Sequence, residues 1–141
     1  MNIFVTDESP YESARVLPDK HIVKMPLETC QMLSIVCSEK WGHGFGTLPK
    51  SDGEPYKTDK GAFRNHPSTA WANKTVENAN WLLAHGFGLC WEYAARYGKV
   101  HTCFNTLIEA RKIIPESDWR SHPPFSRAMP EEFKYDDSID T

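Results

Sequence analysis

The chain has 141 residues, enough for one domain that buries roughly two-thirds of its unfolded surface without disulfide or metal staples. With 40% hydrophobic residues, 5 Trp, 5 Tyr and 7 Phe it is no disordered chain, and no apolar run approaches the ~18 residues of a membrane span. The net charge of −3 lacks the global footprint of most nucleic-acid binders, although Glu131, Glu132, Asp136, Asp137 and Asp140 concentrate acid near the C-terminus and leave room for a local basic cleft.

The expected architecture is all-α. A single compact helical domain spans residues 1–141, with a long irregular loop over 42–64 and an irregular C-terminal tail over 116–141. Met1 to Pro10 lacks the basic and apolar regions of a signal peptide, so the cytoplasm is the expected location. Cys30, Cys37, Cys90 and Cys103 show neither C-x-x-C spacing nor the density of a secreted scaffold, and read as buried thiols.

In chain order, Ser9-Pro10-Tyr11-Glu12 opens a first short helix ending near Leu17: Ser9 caps, Pro10 suits the first position and Glu12 completes a capping box. Asp19 caps a second helix reaching about Glu39, with a kink at Pro26 or a true start there, because a proline inside a helix costs ~3 kcal/mol. Trp41 to Arg64 is rich in Gly, Pro, Lys and Asp, without helical periodicity. Asn65-His66-Pro67-Ser68 opens a short helical turn. Thr75 caps a long helix through Tyr97, closed by Gly98, and a further helix from His101 to Ile114 stops at Pro115.

The segment Asp19 to Glu28 is the richest in chemistry. On a helix His21, Lys24 and Glu28 share one face, bringing together an imidazole, an amine and a carboxylate that can move protons or steady a cation; the same trio is also the composition of a solvated helix face. Arg64-Asn65-His66 precedes a helix start, where free backbone N–H groups can meet a phosphate, or where His66 simply packs in a capping turn. His85, among apolar neighbours, reads as a core histidine. No H-E-x-x-H, paired C-x-x-C, EF-hand, Walker or G-x-G-x-x-G pattern occurs, so no metal or cofactor is implied.

The order of these parts resembles the bacteriophage pyrimidine-dimer DNA glycosylase family, also called endonuclease V. The resemblance rests on His21 and Glu28 with six residues between them, on Arg64-Asn65-His66-Pro67, and on the long helix ending Arg96-Tyr97-Gly98. Related phage proteins share Asp19-Lys20-His21 and Met129-Pro130-Glu131. The family is all-α, and membership implies a glycosylase with lyase activity in a phage-infected bacterial cell. Its N-terminal amine attacks the anomeric carbon of a damaged nucleotide while a glutamate stabilises the imine. Carried over by position, Glu28 is the catalytic carboxylate, His21 positions substrate or transfers a proton, and the amine belongs to Met1 or Asn2. Arginines flanking the family's glutamate correspond here to Leu27 and Gln31, leaving Lys20, Lys24, Arg64, Asn65 and His66 as phosphate contacts. Trp41, Tyr56 or Trp71 could supply a stacking wedge or pocket for the extruded base.

Three readings follow: a glycosylase-like enzyme whose partner is DNA, an enzyme or binding protein for a free nucleotide or other small phosphate ligand, and a non-catalytic phage interaction protein.

Overall fold

A computed structural model describes residues 9–117. Five helices and no strand occur among them: α1 (Pro10–Arg15), α2 (Asp19–Cys37), α3 (Pro67–Lys74), α4 (Val76–Tyr97) and α5 (Phe104–Ile113). The fold is all-α, as expected. The C-terminal tail expected over 116–141 lies, from residue 118 on, outside the described residues.

Local chemistry sets most helix ends. Ser9 accepts from the Glu12 N–H at 3.4 Å and Pro10 stands at the first position of α1, but Glu12 directs its Oε1 to the Arg15 Nε, 2.9 Å away, and the helix stops at Arg15 rather than Leu17. Thr75 Oγ1 accepts from the Asn78 N–H at 3.0 Å, and Gly98 closes α4 with φ 71°, a left-handed conformation that costs glycine nothing. The turn expected at Asn65 to Ser68 grows into the eight-residue α3. The last helix is shorter than expected, starting only at Phe104.

Pro26 neither starts nor splits α2. The helix runs unbroken from Asp19 to Cys37 with Pro18, not Asp19, at its N-cap. Ile22, Met25 and Pro26 are all buried, and each large apolar side chain taken out of water contributes about 1.5–3 kcal/mol. Two or three such burials outweigh the proline's ~3 kcal/mol penalty.

The long helix α4 is the axis against which α1, α2, α3 and α5 pack. It runs antiparallel to α2: Ile22 and Met25, early in α2, cluster with Leu89 and Tyr93, late in α4, whereas Leu33, Val36 and Cys37 share their core with Ala79, Leu82 and Leu83. Arg96 ties the α1–α2 connection to this axis, donating to the carbonyls of Leu17 (2.7 Å) and Arg15 (2.9 Å) and pairing with Asp19 (2.9 Å) and Glu92 (3.2 Å).

The segment between α2 and α3 is irregular but fastened. Trp41 Nε1 donates to the Thr58 carbonyl at 2.6 Å, Asn73 Nδ2 to the Trp41 carbonyl at 3.0 Å, and Thr106 Oγ1 to the Pro49 carbonyl at 2.7 Å. Leu48 is buried in the main core. No helix among the described residues is long and apolar enough to cross a membrane.

Candidate active site

Gly86 sets the geometry of the central pair. A β-carbon there would stand 3.1 Å from Thr29 Cγ2 and 2.8 Å from Leu107 Cδ2, so the bare backbone lets α2, α4 and α5 approach one another closely. Each residue turns a helix by 100°. In an antiparallel pair, one step forward along both chains therefore rotates both side chains to one flank, and one step back rotates both to the other. Forward of Thr29 and Gly86 stand Cys30 and Phe87, which meet α5: Cys30 Sγ lies 3.8 Å from the Cys103 carbonyl, and Phe87 packs edge-to-face on Phe104. Back of them stand Glu28 and His85, on the opposite flank, where α1 and α3 pack.

Glu28 is the unusual residue of this flank. Its side chain is only 10% exposed, and its one ion-pair partner, Lys24 Nζ at 3.7 Å from Oε2, is 73% exposed. Such a solvated pair contributes little. Oε1 is shielded from solvent and has no hydrogen-bond partner among the described residues. An ionised carboxylate withdrawn from water loses several kcal/mol unless its lone pairs are filled, so an acceptor unpaired within the described residues marks Glu28 as a candidate for a ligand contact or a catalytic role.

His85 is the second. Its Nδ1 lies 2.9 Å from the Pro10 carbonyl of α1; a carbonyl only accepts, so Nδ1 carries the proton and Nε2 presents a lone pair. Burial lowers its pKa from 6.5 to about 4, the Pro10 bond offsetting part of the effect, so the ring is neutral at physiological pH. Nε2 is buried without a partner among the described residues. The ring stacks on Trp81 at 5.1 Å, and Trp81 meets Trp71 of α3 edge-on at 5.8 Å. An aromatic wall thus runs from α4 to α3, where the Ser68 and Thr69 hydroxyls are also buried without partners among the described residues.

The residues singled out in the sequence fall into two groups. His21, Lys24 and Glu28 share a face of α2, with Lys24 touching Glu28; His21, half-buried, is two turns from Glu28, a rise of about 10.5 Å, and Lys20 and Lys24 are exposed. Arg64, Asn65 and His66 lie at the entry to α3. There Arg64 stacks on Trp41 at 4.6 Å and donates from Nη1 to the carbonyls of Lys60 (2.9 Å) and Gly61 (3.1 Å), while His66 Nδ1 caps α3 by accepting from the Ser68 N–H at 3.1 Å. Asn65 is exposed. Met1 and Asn2 lie outside the described residues. Trp41 and Trp71 are occupied as a loop fastener and a core residue; the exposed aromatic pair is Trp91 stacked on Tyr11 at 5.5 Å.

Sequence reasoning placed His85 in the core, where it is, but missed that only one of its nitrogens is satisfied. No signal within α4 could have found it, because the partner of Nδ1 is the Pro10 carbonyl of α1; Trp81, four residues earlier, signals only the ring stacking. Among the described residues no group of three His, Cys, Asp or Glu could hold a metal ion, and the four thiols are buried and free.

A small all-α scaffold with a recessed carboxylate on one flank of its central helix pair is the class that fold and site define. The chain belongs to the pyrimidine dimer DNA glycosylase family, whose model matches residues 1–105. That stretch contains α1 to α4, with both Glu28 and His85. No curated protein and no solved structure matches the chain.

Proposed function

We propose that this protein is a DNA N-glycosylase with lyase activity that acts on a damaged or modified nucleotide, with Glu28 as its catalytic carboxylate. The observation that carries the reading is the Glu28 side chain, nine-tenths buried with an unpartnered oxygen, in a chain of the pyrimidine dimer DNA glycosylase family.

The α-amine of the N-terminal residue, Met1 or Asn2 after methionine removal, is the nucleophile. An α-amine has a pKa of about 7.7–8.0 and is partly unprotonated at neutral pH, unlike an ordinary lysine. Its nitrogen bonds to C1′ of the nucleotide as the bond from C1′ to the base breaks, and the base leaves with the amine's proton; the C1′–O4′ bond then breaks as O4′ takes up a proton, opening the sugar to an iminium at C1′. That iminium is a cation, which a desolvated carboxylate stabilises more strongly than one in water. His21, on the same face of α2, positions substrate or carries a proton. Lys24, exposed and paired with Glu28, Lys20, exposed at the start of α2, and the Arg64 to His66 segment take the phosphates.

The acidic net charge does not weigh against DNA. Residues 9–117 carry 13 Lys and Arg against 11 Asp and Glu, a surplus of positive charge; the net negative charge comes from the two ends of the chain, which hold 8 Asp and Glu against 3 Lys and Arg. Phosphate neutralisation supplies much of the affinity for a duplex, and it depends on the local surface rather than on the whole chain.

Borohydride trapping with intact-mass analysis tests the reading. Incubation with abasic and ultraviolet-damaged oligonucleotides should give a covalent adduct at the N-terminus, lost when the α-amine is blocked and lost again in Glu28→Gln with the fold retained. Absence of any adduct would remove imine chemistry and turn attention to a free nucleotide.

A further inference from the structure

We infer that His85 is part of the ligand site, and that its Nε2 accepts a hydrogen bond from a neutral donor of the ligand, a sugar hydroxyl or a nucleobase N–H. The inference deepens the reading of Glu28 and rests on it for the identity of the ligand as a nucleotide.

Three observations carry it. First, His85 and Glu28 lie on the same flank of the α2–α4 pair, fixed by the contact between Thr29 and Gly86 and by the engagement of the opposite flank with α5. Second, both side chains are at least nine-tenths buried, and each ends in an atom without a partner, Glu28 Oε1 and His85 Nε2. Third, both atoms are acceptors. The tautomer of His85 is dictated by the Pro10 carbonyl, so the ring cannot turn a donor towards the flank without breaking that bond. Two recessed acceptors cannot satisfy one another; they call for an occupant that brings donors.

The two acceptors differ in what they select. Glu28 is a carboxylate and suits the developing cation at C1′. His85 is uncharged, its ring already held by Pro10 and by stacking on Trp81, and so suits a neutral O–H or N–H. A site that leaves its own polar atom unpaired without the right ligand discriminates strongly against analogues lacking the donor. That gives His85 a specificity role distinct from the charge stabilisation assigned to Glu28.

The test uses the full chain labelled with ¹⁵N-histidine, whose two ring nitrogens are read separately by two-bond NMR correlations, with His85 assigned by its loss in His85→Asn. Two probes are added in turn. One is an oligonucleotide containing a borohydride-reduced abasic site, whose opened sugar presents hydroxyls at C1′ and C4′ and no base. The other is a set of free deoxynucleoside monophosphates. The inference expects the His85 Nε2 resonance to move upfield with Nδ1 unchanged. A shift with the oligonucleotide assigns the donor to the sugar; a shift with the nucleotides alone assigns it to the nucleobase; no shift with either overturns the inference, whereas a His85 shift without any borohydride-trapped adduct overturns the glycosylase reading alone.

Two variants give an independent readout. Asparagine places its amide where Nδ1 donates to Pro10 but has nothing at the Nε2 position, whereas glutamine reaches that position with an acceptor oxygen. His85→Asn should bind the shifting probe about tenfold more weakly, and His85→Gln within about threefold of wild type. Equal binding by wild type and His85→Asn, with the Asn variant folded by its melting curve, would reduce His85 to a core residue.

Discussion

The buried imidazole of His85 gives this protein a defined acid sensitivity. In the unfolded chain a histidine protonates near pH 6.5, whereas burial holds the folded ring's pKa at about 4. Above pH 6.5 the ring is neutral in both states and does not affect stability. As the pH falls below 6.5 the unfolded chain takes up a proton that the folded ring does not, so stability is lost until about pH 4, where the folded ring titrates too. Each pKa unit of separation corresponds to about 1.4 kcal/mol, so the loss amounts to roughly 3 kcal/mol. Because the ring is 1% exposed, solvent screening does not reduce this figure. Urea unfolding of wild type and His85→Asn at steps from pH 7 to pH 4 reads it directly: contributions from carboxylates are common to both proteins and cancel, as does any constant packing cost of the substitution. Wild type should lose about 3 kcal/mol more than the variant across this window. Parallel pH profiles would mean that water reaches the ring and that its burial is not what the packing implies.

Other substitutions probe the same framework. Gly86→Ala drives a β-carbon against Leu107 and Thr29; helix propensity gains about 1 kcal/mol but overpacking costs typically 1–3, so calorimetry should find a net loss of about 1 kcal/mol. Arg96→Lys keeps the charge and loses the fork that holds the Leu17 and Arg15 carbonyls together with Asp19 and Glu92; denaturant midpoints should report a loss of about 1–3 kcal/mol. Glu28→Met replaces a recessed carboxylate that lacks a full set of partners by an apolar side chain of similar volume, and should leave stability unchanged or raise it by about 1–2 kcal/mol while abolishing turnover. A marked fall in its melting temperature would show that Glu28 holds the fold together instead of serving the site.

How far the sequence reveals this molecule depends on the range of the interaction concerned. The ends of α4 were legible because a capping threonine and a left-handed glycine act within a few residues, and the face of α2 bearing His21, Lys24 and Glu28 follows from helical spacing alone. Pro26 was ambiguous because propensity is local, whereas the burial that overrides it comes from α4. The place of Arg64 at the entry to α3 was legible from its neighbours Asn65 and His66, but its stacking on Trp41, brought back by the loop, was not. His85 depends on a carbonyl 75 residues away in α1, and no pattern within α4 encodes that only one nitrogen would be taken. Burial of the Glu28 carboxylate was likewise invisible, since its i,i+4 partner Lys24 suggests an ordinary solvated pair.

The arrangement also gives a reason to place the proposed site on one flank of the central pair and not the other. Where α5 covers the pair the contacts are mainly apolar or paired: Cys30 against the Cys103 carbonyl, Phe87 against Phe104, Leu107 against Gly86, although the Thr29 hydroxyl at the centre of the pair is itself buried without a partner among the described residues. On the α1 and α3 side the helices contribute polar atoms that find no partner in the described chain: Glu28 Oε1, His85 Nε2 and the Ser68 and Thr69 hydroxyls. A fold selected for stability alone would fill these positions with apolar side chains, since each unmet polar group costs about 1–3 kcal/mol. Concentrating them on one side, while α5 and the fastened loop stabilise the other, lets a small protein carry that cost without losing its core. An occupant with donors for Glu28 and His85 recovers it, which ties affinity for the ligand to the free energy left unspent in folding.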